Sequence, residues 1–152
     1  MAHALRPARP GDEAAVSRLT REAYAPYTPL LGYEPLPMSE DYGSRIAAGQ
    51  VWLLEIAGGL AGLVVLERHG GHALIYSVAV DPARHGQGLG TVLLDFAEAT
   101  ARSWGATRLL LYTNAKMERN QAIYAARGFR ETGRRPVANR PGFIVVDMEK
   151  PL

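Results

Sequence analysis

Apolar positions along the chain follow two rhythms, and the switches between them mark the elements. Val51-Trp52-Leu53-Leu54-Glu55-Ile56, Leu60 to Glu67 and Ala73 to Val80 are apolar runs of strand length, divided by Gly58-Gly59 and Gly70-Gly71. Glycine takes positive φ with little strain, so both breaks predict hairpin turns and the three runs predict an antiparallel meander. Val92, Leu93, Phe96, Ala97, Ala101 and Trp104 instead recur at helical spacing, and Gly105 supplies a C-terminal stop. Leu109-Leu110-Leu111-Tyr112 is then a short buried strand. A strand, a helix and a strand in that order make a parallel pair through a crossover, so the sheet is predicted to be mixed.

The flanks read in the same way. Leu5 to Ala8 is a strand, Pro10-Gly11-Asp12 breaks it with Asp12 as a helix N-cap, and Ala15, Val16, Leu19 and Ala23 form a helical stripe. Pro26 to Pro37 is too rich in proline for a helix and too apolar for an idle linker, which predicts a covering segment. A short helix runs from Ser39 through Tyr42, Ile46 and Ala47 to a stop at Gly49. The last helix spans Glu118 to Arg127 with Gly128 as its stop, and Phe129 to Thr132 and Phe143 to Met148 are closing strands around the turn-rich Pro136 to Gly142. The class predicted is α/β (α+β), with a mixed, mostly antiparallel central sheet of six to seven strands flanked by about four helices. Neither a linker nor an internal repeat interrupts the pattern, so residues 1–152 are expected to form one domain.

Composition then removes whole classes of chemistry. The chain is 47% hydrophobic and 21% charged, the balance of a folded globular protein. It has no cysteine, which excludes disulfides, thiolate metal sites and an acyl-cysteinyl intermediate. Met1 to Pro7 lacks the apolar run of a secretory signal, and no segment approaches the roughly 18 apolar residues of a membrane span, so the expected location is cytoplasmic. The net charge is only +2, and the arginines are scattered without interleaved aromatic residues, which argues against a nucleic-acid partner. The local group Arg130, Arg134, Arg135 and Arg140 reads either as a solvated edge or as a rim that draws phosphates or an acidic substrate.

The most informative stretch joins the third strand to the long helix. After Val78-Ala79-Val80-Asp81-Pro82 comes His85-Gly86-Gln87-Gly88-Leu89-Gly90, followed by Thr91 and the helical stripe. Alternate glycines let a ligand approach the backbone, and the helix start directs unpaired N–H groups and its positive dipole end to the same place. Such a site suits a phosphate or pyrophosphate. The glycine spacing is not that of the Rossmann fingerprint, and no lysine follows as the P-loop requires. A second constellation lies downstream: Met117, Asn120 and Tyr124 share one helical face, while Ile123 and Ala126 are expected to turn toward the core.

Together the two motifs resemble those of the GCN5-related N-acetyltransferase superfamily. There a strand ending in Val-x-Pro feeds an (Arg/Gln)-x-x-Gly-x-(Gly/Ala) loop, and a later Asn-x-x-x-Tyr-x-x-x-Gly-(Phe/Tyr) region matches Asn120, Tyr124, Gly128 and Phe129. The order of elements resembles the acyl-CoA N-acyltransferase fold over nearly the whole chain. The resemblance implies that the backbone of Val78, Ala79 and Val80 pairs with the pantetheine of acetyl-CoA. It implies that the amides of His85, Gly86, Gln87, Gly88, Leu89, Gly90 and Thr91 hold the pyrophosphate, and that Asn120 contacts the pantetheine arm. Asn114 and Met117 are placed with these cofactor-binding residues, and Tyr124 near the sulfur is the catalytic candidate. His85 departs from the pattern, which leaves Arg84 as an alternative source of charge.

The chemistry implied is direct acetyl transfer to a primary amine of a small molecule or peptide, without a metal. Tyr124, a phenol protonated at neutral pH, donates to the leaving thiolate. The base stays open: Tyr76 and Ser77 stand where many relatives carry a glutamate, with Glu55, Glu67 and His72 on neighbouring segments. Tyr24, Tyr27, Tyr33 and Tyr42 either line an amine pocket or pack. The competing reading is a non-catalytic acyl-CoA sensor or partner-binding domain of the same fold, and a homodimer stays open.

Overall fold

The computed structural model describes residues 4–152, so part of the N-terminal stretch read above for a signal, Met1-Ala2-His3, lies outside the described residues. Seven strands, β1 (Leu5–Pro7), β2 (Val51–Ile56), β3 (Gly59–His69), β4 (His72–Val80), β5 (Arg108–Asn114), β6 (Arg130–Pro136) and β7 (Ile144–Pro151), form one sheet. Their order is β1-β2-β3-β4-β5-β7-β6, with every neighbouring pair antiparallel except β4 with β5. Four helices and one single helical turn flank it: α1 (Glu13–Tyr24), the turn α2 (Thr28–Leu31), α3 (Tyr42–Ala47), α4 (Leu89–Ser103) and α5 (Glu118–Ala126).

The central strands are continuous apolar runs because both of their faces are covered. Leu63 and Val65 of β3 pack with Val16, Leu19, Tyr42 and Ile46 of α1 and α3. Val64 and Leu66, between and beyond them, join Leu93, Ala97 and Ala101 of α4 on the opposite face. Consecutive β3 residues thus belong to alternate cores, as the two-residue period of a strand demands.

Several local expectations change. The first hairpin turns on Ala57-Gly58 (φ +52° and +77°) rather than on Gly58-Gly59, because Ile56 pairs with Gly59. Two left-handed residues in a two-residue loop match the twist of the flanking strands, and an alanine tolerates one of them at some strain. The proline-rich segment is not free of helix: it carries 3₁₀ turns at Ala25–Tyr27 and Leu36–Ser39 around α2. Pro29 lies in the first turn of α2, where a missing N–H costs nothing. Ser39 closes the second of these 3₁₀ turns, and α3 starts after Asp41, whose carboxylate accepts from the Ser44 N–H at 3.1 Å. Asp12 precedes α1 but makes no side-chain cap there; its carboxylate accepts from the Arg9 N–H at 2.7 Å and from Arg6 at 2.9 Å.

One irregularity shapes the centre of the sheet. β4 pairs with β5 only from His72 to Ile75, opposite Arg108 to Leu111, and beyond that the two strands part. Across β3, Val65 faces Ser77 and Leu66 faces Ile75, so Tyr76 is the extra residue of a bulge at the point of parting. A bulge bends its strand and re-aims side chains, and here it opens the middle of the sheet.

Candidate active site

Two hollows meet at this opening. The larger, a cleft of about 700 Å³, runs between the end of β4, the glycine loop and α5. The smaller, a recess of about 60 Å³, lies between the parted strands and the segment after α1. Tyr24, Val78, Asn120 and Tyr124 line both.

The glycine loop forms one wall of the cleft. Asp81 starts the loop by accepting from the Ala83 N–H at 3.0 Å. Gly86 (φ +82°) and Gly88 (φ +74°) take the left-handed conformation, and Gly88 caps α4 without any side-chain cap bond. The first N–H groups of α4, on Leu89, Gly90 and Thr91, therefore have neither an intrahelical acceptor nor a capping side chain. Leu89, Gly90 and Thr91 line the cleft together with Val78, Ala79, Val80, His85, Gly86 and Gly88. Gln87 alone of the expected loop residues does not line it; the residue is exposed, on the outer side of the turn.

The second motif forms the opposite wall. Met117, Asn120 and Tyr124 come together as their spacing predicts, but Met117 and Asn114 lie in the recess and not in the larger cleft. Asn114 is buried, and its carboxamide oxygen accepts from the Lys116 N–H at 2.8 Å, turning the end of β5 toward α5. Gln121 fixes the start of α5 by donating to the carbonyls of Asn114 (3.2 Å) and Ala115 (3.0 Å). Ile123 and Ala126 do not face the core. Both are exposed along the cleft, Ile123 at 45%, because α5 sits at the border of the opening and buries none of its residues.

Tyr124 rests edge-on against Phe129, with ring centres 5.9 Å apart. Burial, and then the neighbouring Tyr24 and Tyr27, push its phenol well above the ordinary tyrosine range, so it stays protonated at any physiological pH. Tyr24 donates to the Val78 carbonyl at 3.2 Å and lies at the same distance from the Ser77 hydroxyl. Of the other tyrosines, Tyr27 faces the cleft, Tyr33 packs on Phe143, and Tyr42 is buried and donates to the Pro37 carbonyl at 2.6 Å.

Charge is arranged differently from the sequence expectation. Arg134 pairs with Glu131, Arg135 with Asp147, and Arg140 donates to the Glu34 carbonyl; none of them, nor Arg130, lines the cleft. Cationic side chains at the cleft come from Arg84, Arg119 and Arg127. Arg127 is already neutralised by Asp95 and Glu98, and Lys150 donates to Glu98 at 2.7 Å, which ties α5 to α4 and β7. Arg119 has no sequence signature, because it belongs to neither motif pattern.

Among the described residues, no Asp, Glu or His side chain lines the recess. Glu55 is held by Arg6, and Glu67 by Arg45 and His69. His72 stacks on His69 with ring centres 5.1 Å apart. Among the described residues, the one carboxylate bonded to a recess side chain is Glu40, which accepts from the Tyr76 hydroxyl at 2.8 Å and from Arg45 at 3.2 Å, while Arg45 stacks on the Tyr76 ring. Among the described residues no group of three metal-ligating side chains is assembled, and no helix is long and apolar enough to cross a membrane.

The fold has counterparts among solved structures. The chain resembles PaiA N-acetyltransferase from Thermoplasma acidophilum, solved in complex with coenzyme A, at 17% identity and a TM-score of 0.79, covering 100% of both chains. It resembles the ribosomal-protein-S18-alanine N-acetyltransferase from Escherichia coli at 21% identity and a TM-score of 0.76, over 99% of this chain and 94% of that one. At these identities the likeness speaks to the fold alone. An uncharacterized N-acetyltransferase of Mycobacterium tuberculosis is 43% identical over 54 residues, 36% of this chain and 35% of its own length. The chain thus matches about a third of the length of such curated relatives. The profile of the Acetyltransferase (GNAT) family matches residues 15–129, a span holding the glycine loop, the bulged strand and α5. This chain belongs to the acetyltransferase (GNAT) family.

Proposed function

We propose that residues 1–152 act as one acetyltransferase domain that moves the acetyl group of acetyl-CoA directly to a primary amine. The observation that carries this reading is the junction of cleft and recess at Tyr24, Val78, Asn120 and Tyr124. A long hollow and a short one meeting at a protonated phenol suit an extended carrier on one side and its acceptor on the other.

The residues divide the work. The N–H groups at the start of α4, with Arg84 and Arg119 at the rim, favour the pyrophosphate. The edge of β4 from Val78 to Val80, unpaired with β5 and met by the Tyr24 hydroxyl at the Val78 carbonyl, offers main-chain groups to an extended amide-bearing arm, and Asn120 both donates and accepts beside it. The thioester supplies an activated acetyl group and a thiolate leaving group. Tyr124 donates its proton to the sulfur. The amine nitrogen, arriving as an ammonium, loses two protons in all. One restores the Tyr124 phenol; the other passes to the Tyr76 oxygen as Tyr76 gives its own proton to Glu40, and from there reaches solvent. Positioning supplies much of the remaining acceleration.

Calorimetry and turnover test this together. Acetyl-CoA should bind, and Tyr124→Phe should lower kcat by about 10²-fold or more while leaving acetyl-CoA affinity within a few-fold. Binding without turnover by the unaltered chain would favour the sensor reading instead.

A further inference from the structure

Resting on the acetyltransferase reading, the walls of the recess point to a class of acceptor. None of its lining side chains is charged. Most of its polar groups are already engaged: Ser77 lies within 3.2 Å of the Tyr24 hydroxyl, Thr113 donates to the Met117 sulfur, Tyr76 donates to Glu40, and the Asn114 oxygen accepts from Lys116. Asn120 and the hydroxyls of Tyr112 and Tyr124 are the other polar groups, and the remaining wall is apolar, including Leu31, Pro37, Ile75, Leu111, Phe143 and Val145. The volume of about 60 Å³ admits only a handful of non-hydrogen atoms, where one water needs about 10–15 Å³.

We infer that the acceptor is a primary monoamine whose nitrogen is carried by a compact, uncharged aliphatic group, and that polyamines and amino acids with a nearby carboxylate are rejected. A second ammonium or a carboxylate in this recess would lose its hydration and meet no charged lining side chain, since Glu40 lies behind Tyr76 and is already paired with Arg45. The reacting ammonium escapes that penalty because it gives up its protons and leaves as a neutral amide, whereas a spectator ammonium would keep its charge in the recess. Rejection here follows from buried groups that repel the wrong substituent and not from extra contacts to the right one.

Three amines of equal heavy-atom count separate the cases: isoamylamine, putrescine and β-alanine. With the protein free of acetyl-CoA, methyl NMR signals of Ile75, Leu111 and Val145 are followed during titration with each. Saturable shifts with isoamylamine, and at least about tenfold weaker response to the other two, are expected. Equal or stronger response to putrescine or β-alanine, or no response to isoamylamine, overturns the assignment. Turnover with acetyl-CoA is then compared, and kcat/KM should rank the amines in the same order. If the methyl signals select isoamylamine yet calorimetry detects no acetyl-CoA binding, the recess assignment stands and the acetyltransferase reading falls.

Discussion

Gly88 and Gly90 are two residues apart and need their missing side chains for different reasons. Gly88 holds a left-handed φ of +74°, which strains any residue with a Cβ. Gly90 has an ordinary φ, and a Cβ built on it meets nothing within 4 Å. Gly90→Ala should therefore raise stability by up to about 1 kcal/mol, or about 2–4 °C in Tm. The same methyl group stands where a ligand would approach the N–H groups of α4, so acetyl-CoA affinity should fall by about tenfold or more. Thermal melts and calorimetry on one sample check both signs; unchanged affinity would remove the glycine loop from the site. Glu40 makes a second residue-scale test. Glu40→Gln should reduce isoamylamine turnover at neutral pH by about 10²-fold, with the deficit shrinking as pH rises and the amine arrives already deprotonated. A wild-type-to-variant ratio constant with pH would mean that Glu40 merely props up Tyr76. The loop glycines were legible because few other roles explain their spacing. The Glu40 contact was not, because it comes from a segment 36 residues away in sequence from Tyr76.

Among the elements, α5 and the β1–α1 junction depend most on charge. No α5 residue is fully buried, so the helix carrying Asn120 and Tyr124 is held by Gln121, by the Arg127–Asp95 and Arg127–Glu98 pairs and by the edge contact of Tyr124 with Phe129. That explains the wrong expectation for Ile123 and Ala126: periodicity identifies an apolar side of a helix but not whether protein or ligand covers it. At the β1–α1 junction, hydrogen bonds from Arg6 and then from the Arg9 N–H lower the Asp12 carboxyl from 3.8 to about 2. A carboxyl depressed on folding stabilises the native state fully above its unfolded value and loses that contribution as pH falls toward the folded one. Asp12→Asn should thus lower Tm by about 2–4 °C at pH 7, a surface pair's worth of about 1 kcal/mol, and by clearly less near pH 2, where the native carboxyl is about half protonated. Equal losses at both pH values would assign the effect to packing instead. Local chemistry at Ala57 and through Pro26–Pro37 escaped the sequence because short turns depend on register and tertiary contact more than on residue type.

For the whole molecule, alternation of apolar runs was enough to anticipate a mixed sheet with a parallel β4–β5 pair. The parting of those strands after Ile75 was hidden, since the bulged run Ala73 to Val80 reads as unbroken. The structure is thus two half-sheets, β1 to β4 and β5 to β7, sharing only the paired stretch His72–Ile75 with Arg108–Leu111. A ligand that binds only the folded state adds RT ln(1 + [L]/Kd), about 2.7 kcal/mol at a hundredfold excess over Kd. Acetyl-CoA should accordingly raise Tm with concentration, and amide exchange should slow most from Val78 to Val80 and along α5. Slowing spread evenly over the chain would speak against a ligand seated in the opening. Backbone groups facing a gap in mid-sheet are also indiscriminate, since they will accept any extended chain that reaches them. If acetyl-CoA fills that gap as proposed, the empty protein should aggregate with extended peptides more readily than the liganded one.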